Sequence, residues 1–387
     1  MARLRPSRIL FVLLVATAVL LLAGQAAVRV RDADISDFRC FYEAGRLVAH
    51  DGDPYDRTTW AAATITRPDR VPHCAKTFIY PLWTAAVMAP LTVLDEPVAL
   101  ASWEGILLGC TFTAVALIAR TWSMFGGARL LLVTLLWSQP MFSAVGNAQF
   151  GPVILLLVAA LAHALGSGRA RVAAIAWWLL LLKPHIAALT MAGTLAAASR
   201  RSQVTLVAGA GVIAAATLAL IPSWPLDLLR ENFDQQQLLG DPGLGTLWSL
   251  AADLGLPTLV GGAVAVELCI ACLVLVRPRQ LRPSELVAAL VAASFLVTPY
   301  ARPHDLVVLA CAWAVPLAWA KEAQARERPR IVSATIALAL ALPWAITALS
   351  LLGAPLSLYV LVSLATAGLT VVAIRARAPL SPAQPLG

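Results

Sequence analysis

Charged residues are scarce in this chain. Only 13% of its 387 residues are Asp, Glu, Lys or Arg, and 60% are hydrophobic. A soluble domain carries about 25% charged residues. No protein core hides that much apolar surface, so lipid must solvate most of it. Any alternation of strand and helix patterns is also missing, which excludes a Rossmann-like nucleotide domain. There is no internal repeat, no low-complexity segment and no stretch polar enough for a soluble domain. The five histidines, at 50, 73, 163, 185 and 304, form no pair at helical i, i+4 spacing. Cys269 and Cys272 have Cys-x-x-Cys spacing, but they lie inside an apolar run without partners for zinc.

What the chain does have is apolar runs separated by short basic clusters, with a mean hydropathy of +0.79. Its formal net charge is +8. The basic residues sit between the runs, which is the positive-inside pattern of a membrane protein and not a nucleic-acid patch. The 12 tryptophans suit membrane–water interfaces. Arg3, Arg5 and Arg8 precede an apolar run that starts at Ile9 and ends near Val28. It resembles a signal peptide, but at roughly 20 residues it exceeds a usual signal core, so we read it as an uncleaved first helix.

Loop charge then sets orientation. The basic clusters are the N-terminal arginines, Arg120 with Arg129, Arg169 with Arg171, Arg200 with Arg201, 277–282, 321–330, and Arg375 with Arg377. Placed in the cytoplasm, they imply an all-α polytopic bundle of about twelve transmembrane helices with both ends inside. The bundle is one domain over 1–377, and 378–387 reads as a Pro-containing disordered tail. A long first external loop, 29–78, carries juxtamembrane helices. The piece 79–94 is short enough to be only partly inserted. Lys183-Pro184-His185 breaks the stretch 172–199 into two half-helices that meet near the external face.

This topology, drawn from arginines and apolar lengths, collects a set of polar residues at or near that face. They are Asp34, Asp37, Glu43, Asn147, Gln149, Lys183, Arg302, His304 and Asp305. Ionisable groups near a bilayer are costly, and their default reading is functional. Their one-sidedness points to surface chemistry. A transporter or flippase, the alternative from another class, would place its groups near the midplane at broken helices of two repeats.

Each residue type has a chemical reading and a plainer one. Phe38, Phe41 and Tyr42 at helical spacing suggest an amphipathic helix lying on the membrane. Asp37, at its start, is either its N-cap or a general base. Asp51-Gly-Asp53-Pro-Tyr55-Asp56 looks like an Asp-x-Asp metal motif, but Asp, Gly and Pro in succession favour a turn. Tyr80-Pro81-Leu82 opens the next apolar piece. Lys183, between two half-helices, either snorkels or binds an anion. Arg302 suits phosphate and His304 can donate a proton near neutral pH, unless either pairs with Asp305. Cys40 and Cys74 share the external loop, where a disulfide would tie it back on itself.

With these residues in place, the chain resembles the GT-C glycosyltransferases, and within them glycosyltransferase family 87 of actinobacteria. The elements that carry the resemblance run in order along most of the chain. They are Asp37-Phe-Arg-Cys-Phe-Tyr-Glu-Ala-Gly, Gly52-Asp-Pro-Tyr55, Phe78-Ile-Tyr-Pro-Leu with Ala89-Pro-Leu, Gly146-Asn-Ala-Gln149, Leu182-Lys-Pro184 and Thr298-Pro-Tyr-Ala-Arg-Pro-His304. The resemblance implies a GT-C-type bundle and a sugar transferase of the cell envelope. The donor would be a polyprenyl-phosphate sugar, and the acceptor a hydroxyl of a glycolipid or lipoglycan. Mannose is the expected sugar, with arabinofuranose the alternative. Asp37 matches the external catalytic base, and His304 and Lys183 could supply the basic or His residue near the donor phosphate; Arg302, by its own chemistry, would join them there. Asp34, Tyr42, Tyr80, Asn147 and Gln149 would line the substrate pocket. No cofactor or metal is required for a monophosphate leaving group held by such cations. Membrane lipids, and no nucleic acid, are the remaining expected partners. The chain departs from the family in having Tyr80-Pro81-Leu82 for Tyr-Pro-Pro, Arg302-Pro303 in place of more aromatic residues, and short external loops.

Overall fold

The computed structural model describes residues 6–31, 36–64, 74, 77–124, 127–234, 244–324 and 327–377. Asp34 and the tail 378–387 lie outside the described residues. Among the described residues all regular structure is helical. The first third of the chain holds α1 (Pro6–Arg31), α2 (Phe38–Ala49), α3 (Arg57–Thr64), α4 (Leu82–Met88) and α5 (Glu96–Thr121). Next come α6 (Gly127–Leu136), α7 (Gln139–Gly146), α8 (Gly151–Gly166), α9 (Ala170–Leu179), α10 (Pro184–Ala197) and α11 (Arg200–Leu220). They are followed by α12 (Trp224–Asp234), α13 (Leu247–Asp253), α14 (Thr258–Val276), α15 (Pro283–Val297) and α16 (Ala310–Glu322). The chain ends in α17 (Arg328–Ile336), α18 (Leu342–Leu351) and α19 (Val360–Arg377).

Among the described residues seven helices are long and apolar enough to cross a bilayer, or eight if the bent pair α6–α7 is one span. Hydropathy and loop charge led us to expect about twelve crossings; length and composition alone mark these seven or eight. Four further apolar helices are shorter, at 82–93, 151–166, 170–182 and 283–297. The burial pattern is that of a protein solvated by lipid. Leu20 on α1, Val212 on α11 and Leu259 on α14 are 71%, 68% and 72% exposed. Side chains that apolar cannot face water in such numbers. The helices at the centre are α8, α15 and α16, most of whose residues are buried. Ala288, Ala289, Ala292 and Ala293 keep α15 slim, so that α8, α10, α14, α16 and α19 all pack against it. Small residues allow this close approach between helices in lipid.

Breaks in the helices have local causes. Between α6 and α7 the axis bends by 57°. Pro140 lies in the first turn of α7, and Ser138 Oγ caps it by accepting from Met141 N at 3.3 Å. The bend is pinned from two sides: Trp137 Nε1 donates to Leu14 O on α1 at 3.1 Å, and Trp344 Nε1 on α18 donates to Trp137 O at 2.8 Å. The expected break between α9 and α10 is present, with Lys183 outside the helical region, at φ −140° and ψ 69°, before Pro184. Its loose carbonyls are taken by α4: Trp83 Nε1 donates to Leu181 O at 2.7 Å and Thr84 Oγ1 to Leu182 O at 3.1 Å. Backbone acceptors in an apolar interior need such partners.

The first loop folds onto the bundle. α2 is amphipathic as expected, but its apolar face does not lie on lipid. Phe38, Phe41 and Ala44 are fully buried, and α2 packs on α4 and the 3-10 turn over 89–93 that follows it. Gly45 makes this approach possible, because a Cβ there would stand 2.9 Å from the backbone nitrogen of Ala89. Arg39 ties the same helix to Glu96 at the start of α5, at 2.9 Å. A disulfide joins Cys40 to Cys74. The Asp51–Asp56 segment is a turn: Asp51 has φ of 57°, and Asp53 Oδ1 accepts from Tyr55 N at 2.8 Å. Asp56 Oδ1 accepts from Thr59 N at 2.8 Å at the start of α3, and that bond holds the exposed carboxyl below its usual pKa.

Candidate active site

Four separate parts of the chain meet where α2 begins, α8 and α10 begin and α15 ends. Asp37 occupies the N-cap position of α2, yet its side chain makes no capping hydrogen bond. Its carboxylate instead accepts from Gln149 Nε2, 112 residues away. Gln149 stands on the turn between α7 and α8. Ala148 there has φ of 50°, a left-handed conformation unusual for a residue with a Cβ, and its carbonyl accepts from Trp103 Nε1 at 2.8 Å. That turn swings the Gln149 amide inward, where the residue is 2% exposed.

The amide is gripped at both ends. Gln149 Oε1 accepts from Lys183 Nζ at 3.2 Å and from Tyr80 OH at 3.3 Å. With donors on its oxygen, the amide nitrogen must face Asp37, so its orientation follows from the network. Lys183 Nζ also lies 2.5 Å from Asp305 Oδ1, and both side chains are completely buried. Asp305 in turn is fixed by Arg302 N, which donates to Oδ2 at 3.0 Å. His304 Nε2 stands 3.7 Å from Asp305 Oδ1. Gly151, at the start of α8, lets the 3-10 run Pro303–Leu309 come close, because a Cβ there would sit 2.7 Å from His304 O.

Aromatic rings wall the cluster. Phe41 meets Tyr80 and Phe150 edge-on, with ring centroids 5.0 Å apart in each pair. Lys183 Nζ is 5.9 Å from the Tyr80 ring centre. Tyr55 OH donates to Tyr80 O at 2.6 Å, which anchors the Asp51–Asp56 turn beside the site. On the far side Arg302 Nε donates to Tyr300 OH at 3.1 Å, and the ring of His185 meets Tyr300 edge-on at 5.1 Å.

Most of the residues singled out from sequence are therefore neighbours, but Lys183 differs from expectation. It was expected to offer its charge to a donor phosphate. It is instead closed off by Asp305 and Gln149, so it organises the site from behind. The expected pairing of His304 with Asp305 is present at 3.7 Å, and Lys183 adds a shorter contact to the same oxygen. Two pocket residues make contacts elsewhere: Tyr42 OH donates to Leu94 O at 2.9 Å, and Asn147 Nδ2 to Ser143 Oγ at 3.3 Å. Tyr55, Tyr300 and His185 were not singled out. Their signal was faint: His185 simply follows Lys183-Pro184, and the tyrosines flank turns. Among the described residues no three His, Cys, Asp or Glu side chains converge as a metal would need.

The arrangement sets a carboxylate and cationic groups on one face, linked through a single amide. A carboxylate can remove a proton from a nucleophile, and Arg and His can stabilise a departing phosphate. No curated protein and no solved structure matches the chain. The model of glycosyltransferase family 87 matches residues 78–299, more than half of the sequence. That segment contains Tyr80, Gln149 and Lys183; Asp37, Arg302, His304 and Asp305 flank it on either side. The chain thus belongs to glycosyltransferase family 87 and is a membrane glycosyltransferase.

Proposed function

We propose that this enzyme moves mannose from a polyprenyl-phosphate donor to a hydroxyl of a glycolipid or lipoglycan on the extracytoplasmic face of the cell membrane. The observation that carries this reading is the continuous link from Asp37 through Gln149 to Lys183 and Asp305, beside His304 and Arg302. The acceptor oxygen attacks the anomeric carbon while Asp37 takes its proton. The bond from that carbon to the phosphate oxygen breaks, and its electron pair leaves with the lipid phosphate. Arg302 and His304 stabilise the developing charge. Lys183 compensates Asp305, so that the Pro303–Leu309 run can hold His304 in a buried place. A single displacement inverts the anomeric centre. The small external loops and the lipid-facing bundle suit a donor whose chain stays in the bilayer.

The test is transfer by the purified protein in lipid. Radiolabelled polyprenyl-phosphate mannose and polyprenyl-phosphate arabinofuranose are offered separately with a membrane glycolipid fraction. Label should move from the mannosyl donor, with inverted linkage in the product. Transfer from the arabinofuranosyl donor alone would reject mannose, and transfer from neither would reject the lipid-phosphate donor.

A further inference from the structure

At the other end of the same helices lies a cavity of about 1580 Å³. α8 and α10 begin at the candidate active site and end here, while α9 and α15 begin here and end there. α8 has 16 residues, so about 24 Å separates its two ends. The cavity is therefore distinct from the site of transfer.

Its lining is amphiphilic. Trp177, Trp178, Leu206 and Leu281 contribute apolar wall, and Arg120, Arg171, Arg201 and Arg282 contribute charge. Two carboxylates, Glu285 and Glu322, also line it. Both are engaged by Arg377, which lies 2.8 Å from Glu322 Oε1 and 3.3 Å from Glu285 Oε1. Among the described residues no carboxylate pairs with the side chains of Arg120, Arg171, Arg201 or Arg282. All four are exposed, so an anion at the membrane surface can reach them.

A second observation points the same way. α9 and α11 begin at the cavity, and helix N-termini favour anions. The outer faces of these two helices are apolar and open: Val172, Ile175, Val204 and Val207 are 46%, 53%, 63% and 57% exposed. The cavity opens beside surface that acyl chains must cover.

We propose that this cavity binds the phosphate headgroup of an anionic membrane phospholipid, with the acyl chains lying along α9 and α11. The arginines supply the charge, and the tryptophan-lined wall the contact for the glycerol and upper chain. The positive-inside rule puts this end at the cytoplasmic leaflet, where anionic headgroups concentrate. The inference rests on the cavity alone and stands whichever sugar the enzyme transfers.

The experiment uses the purified full chain in a neutral detergent, titrated with phosphatidylglycerol, phosphatidylcholine or inorganic phosphate while thermal unfolding is followed. Phosphatidylglycerol should raise Tm saturably and phosphatidylcholine should not. The double variant R120Q/R201Q should match wild type in phosphatidylcholine and bind phosphatidylglycerol about 10-fold or more weakly, the loss of one or more charge-assisted contacts. If that variant is already destabilised in phosphatidylcholine, R171Q/R282Q provides the same reading from the other two arginines. Equal shifts with both lipids, or an undiminished shift in a folded variant, overturn the proposal. Saturation of the same shift by millimolar inorganic phosphate overturns the assignment to a lipid.

Discussion

Gln149 is the residue on which the geometry of the site turns. Its amide holds Asp37 with one end and receives Lys183 and Tyr80 with the other. Gln149→Leu removes all three bonds while keeping the volume roughly constant. Turnover should fall by about 100-fold, the usual cost of a displaced reacting group. The KM for the donor should change little, because no atom of the donor need touch the amide. A matched fall in kcat and rise in KM would instead mark Gln149 as a binding residue. Lys183 and Asp305 allow a separate test of stability. Lys183→Met leaves a fully buried carboxylate without its cation and should cost about 3–5 kcal/mol in unfolding measurements. Adding Asp305→Asn should restore most of that loss, since a neutral pair no longer needs compensation. If the double variant is no more stable than the single one, the pair contributes less than its burial implies.

At the scale of elements, the helices and their breaks were largely legible, whereas side-chain partners were not. The half-helix break at Lys183 followed from Pro184 inside an apolar run, and the first-loop turn followed from Asp51-Gly-Asp53-Pro. The fate of the Lys183 charge was hidden because its partner lies 122 residues away, while Arg302 and His304 stood much nearer to Asp305 in sequence. The amphipathic pattern of α2 was read correctly as a helix, but periodicity cannot distinguish a lipid surface from a protein surface. Here α4 provides the apolar cover, and Gly45 permits the contact. Two elements yield predictions. Gly151→Val places bulk against His304 O, so it should destabilise by about 1–3 kcal/mol and lower activity more than a surface change would. Breaking the Cys40–Cys74 bridge by Cys74→Ser releases a 34-residue separation and should cost about 2–4 kcal/mol, with the loss concentrated in faster proteolysis of the first loop. Unchanged proteolysis would mean that packing of α2 on α4 alone holds that loop.

For the molecule as a whole, lipid is the solvent that makes the exposed leucines and valines of α1, α11 and α14 acceptable. The bundle is polarised end to end. One end gathers Asp37, His304 and Arg302, and the other gathers the arginine clusters. We expect a cysteine introduced at Ser167 to react with an impermeant maleimide only in inverted vesicles, and one at Asp56 only in intact cells, both in a Cys110→Ser background. Labelling of both from the same side would contradict the orientation.

Asp37 bears the central claim, because it lies outside the segment matched to the family and is linked to it through Gln149. The most direct measurement is single-turnover transfer by Asp37→Asn with the donor already bound, beside the donor's Kd. The rate should fall by about 100- to 10,000-fold, the range of general-base catalysis, while the Kd holds. Turnover within about 10-fold of wild type would show that some other group takes the proton.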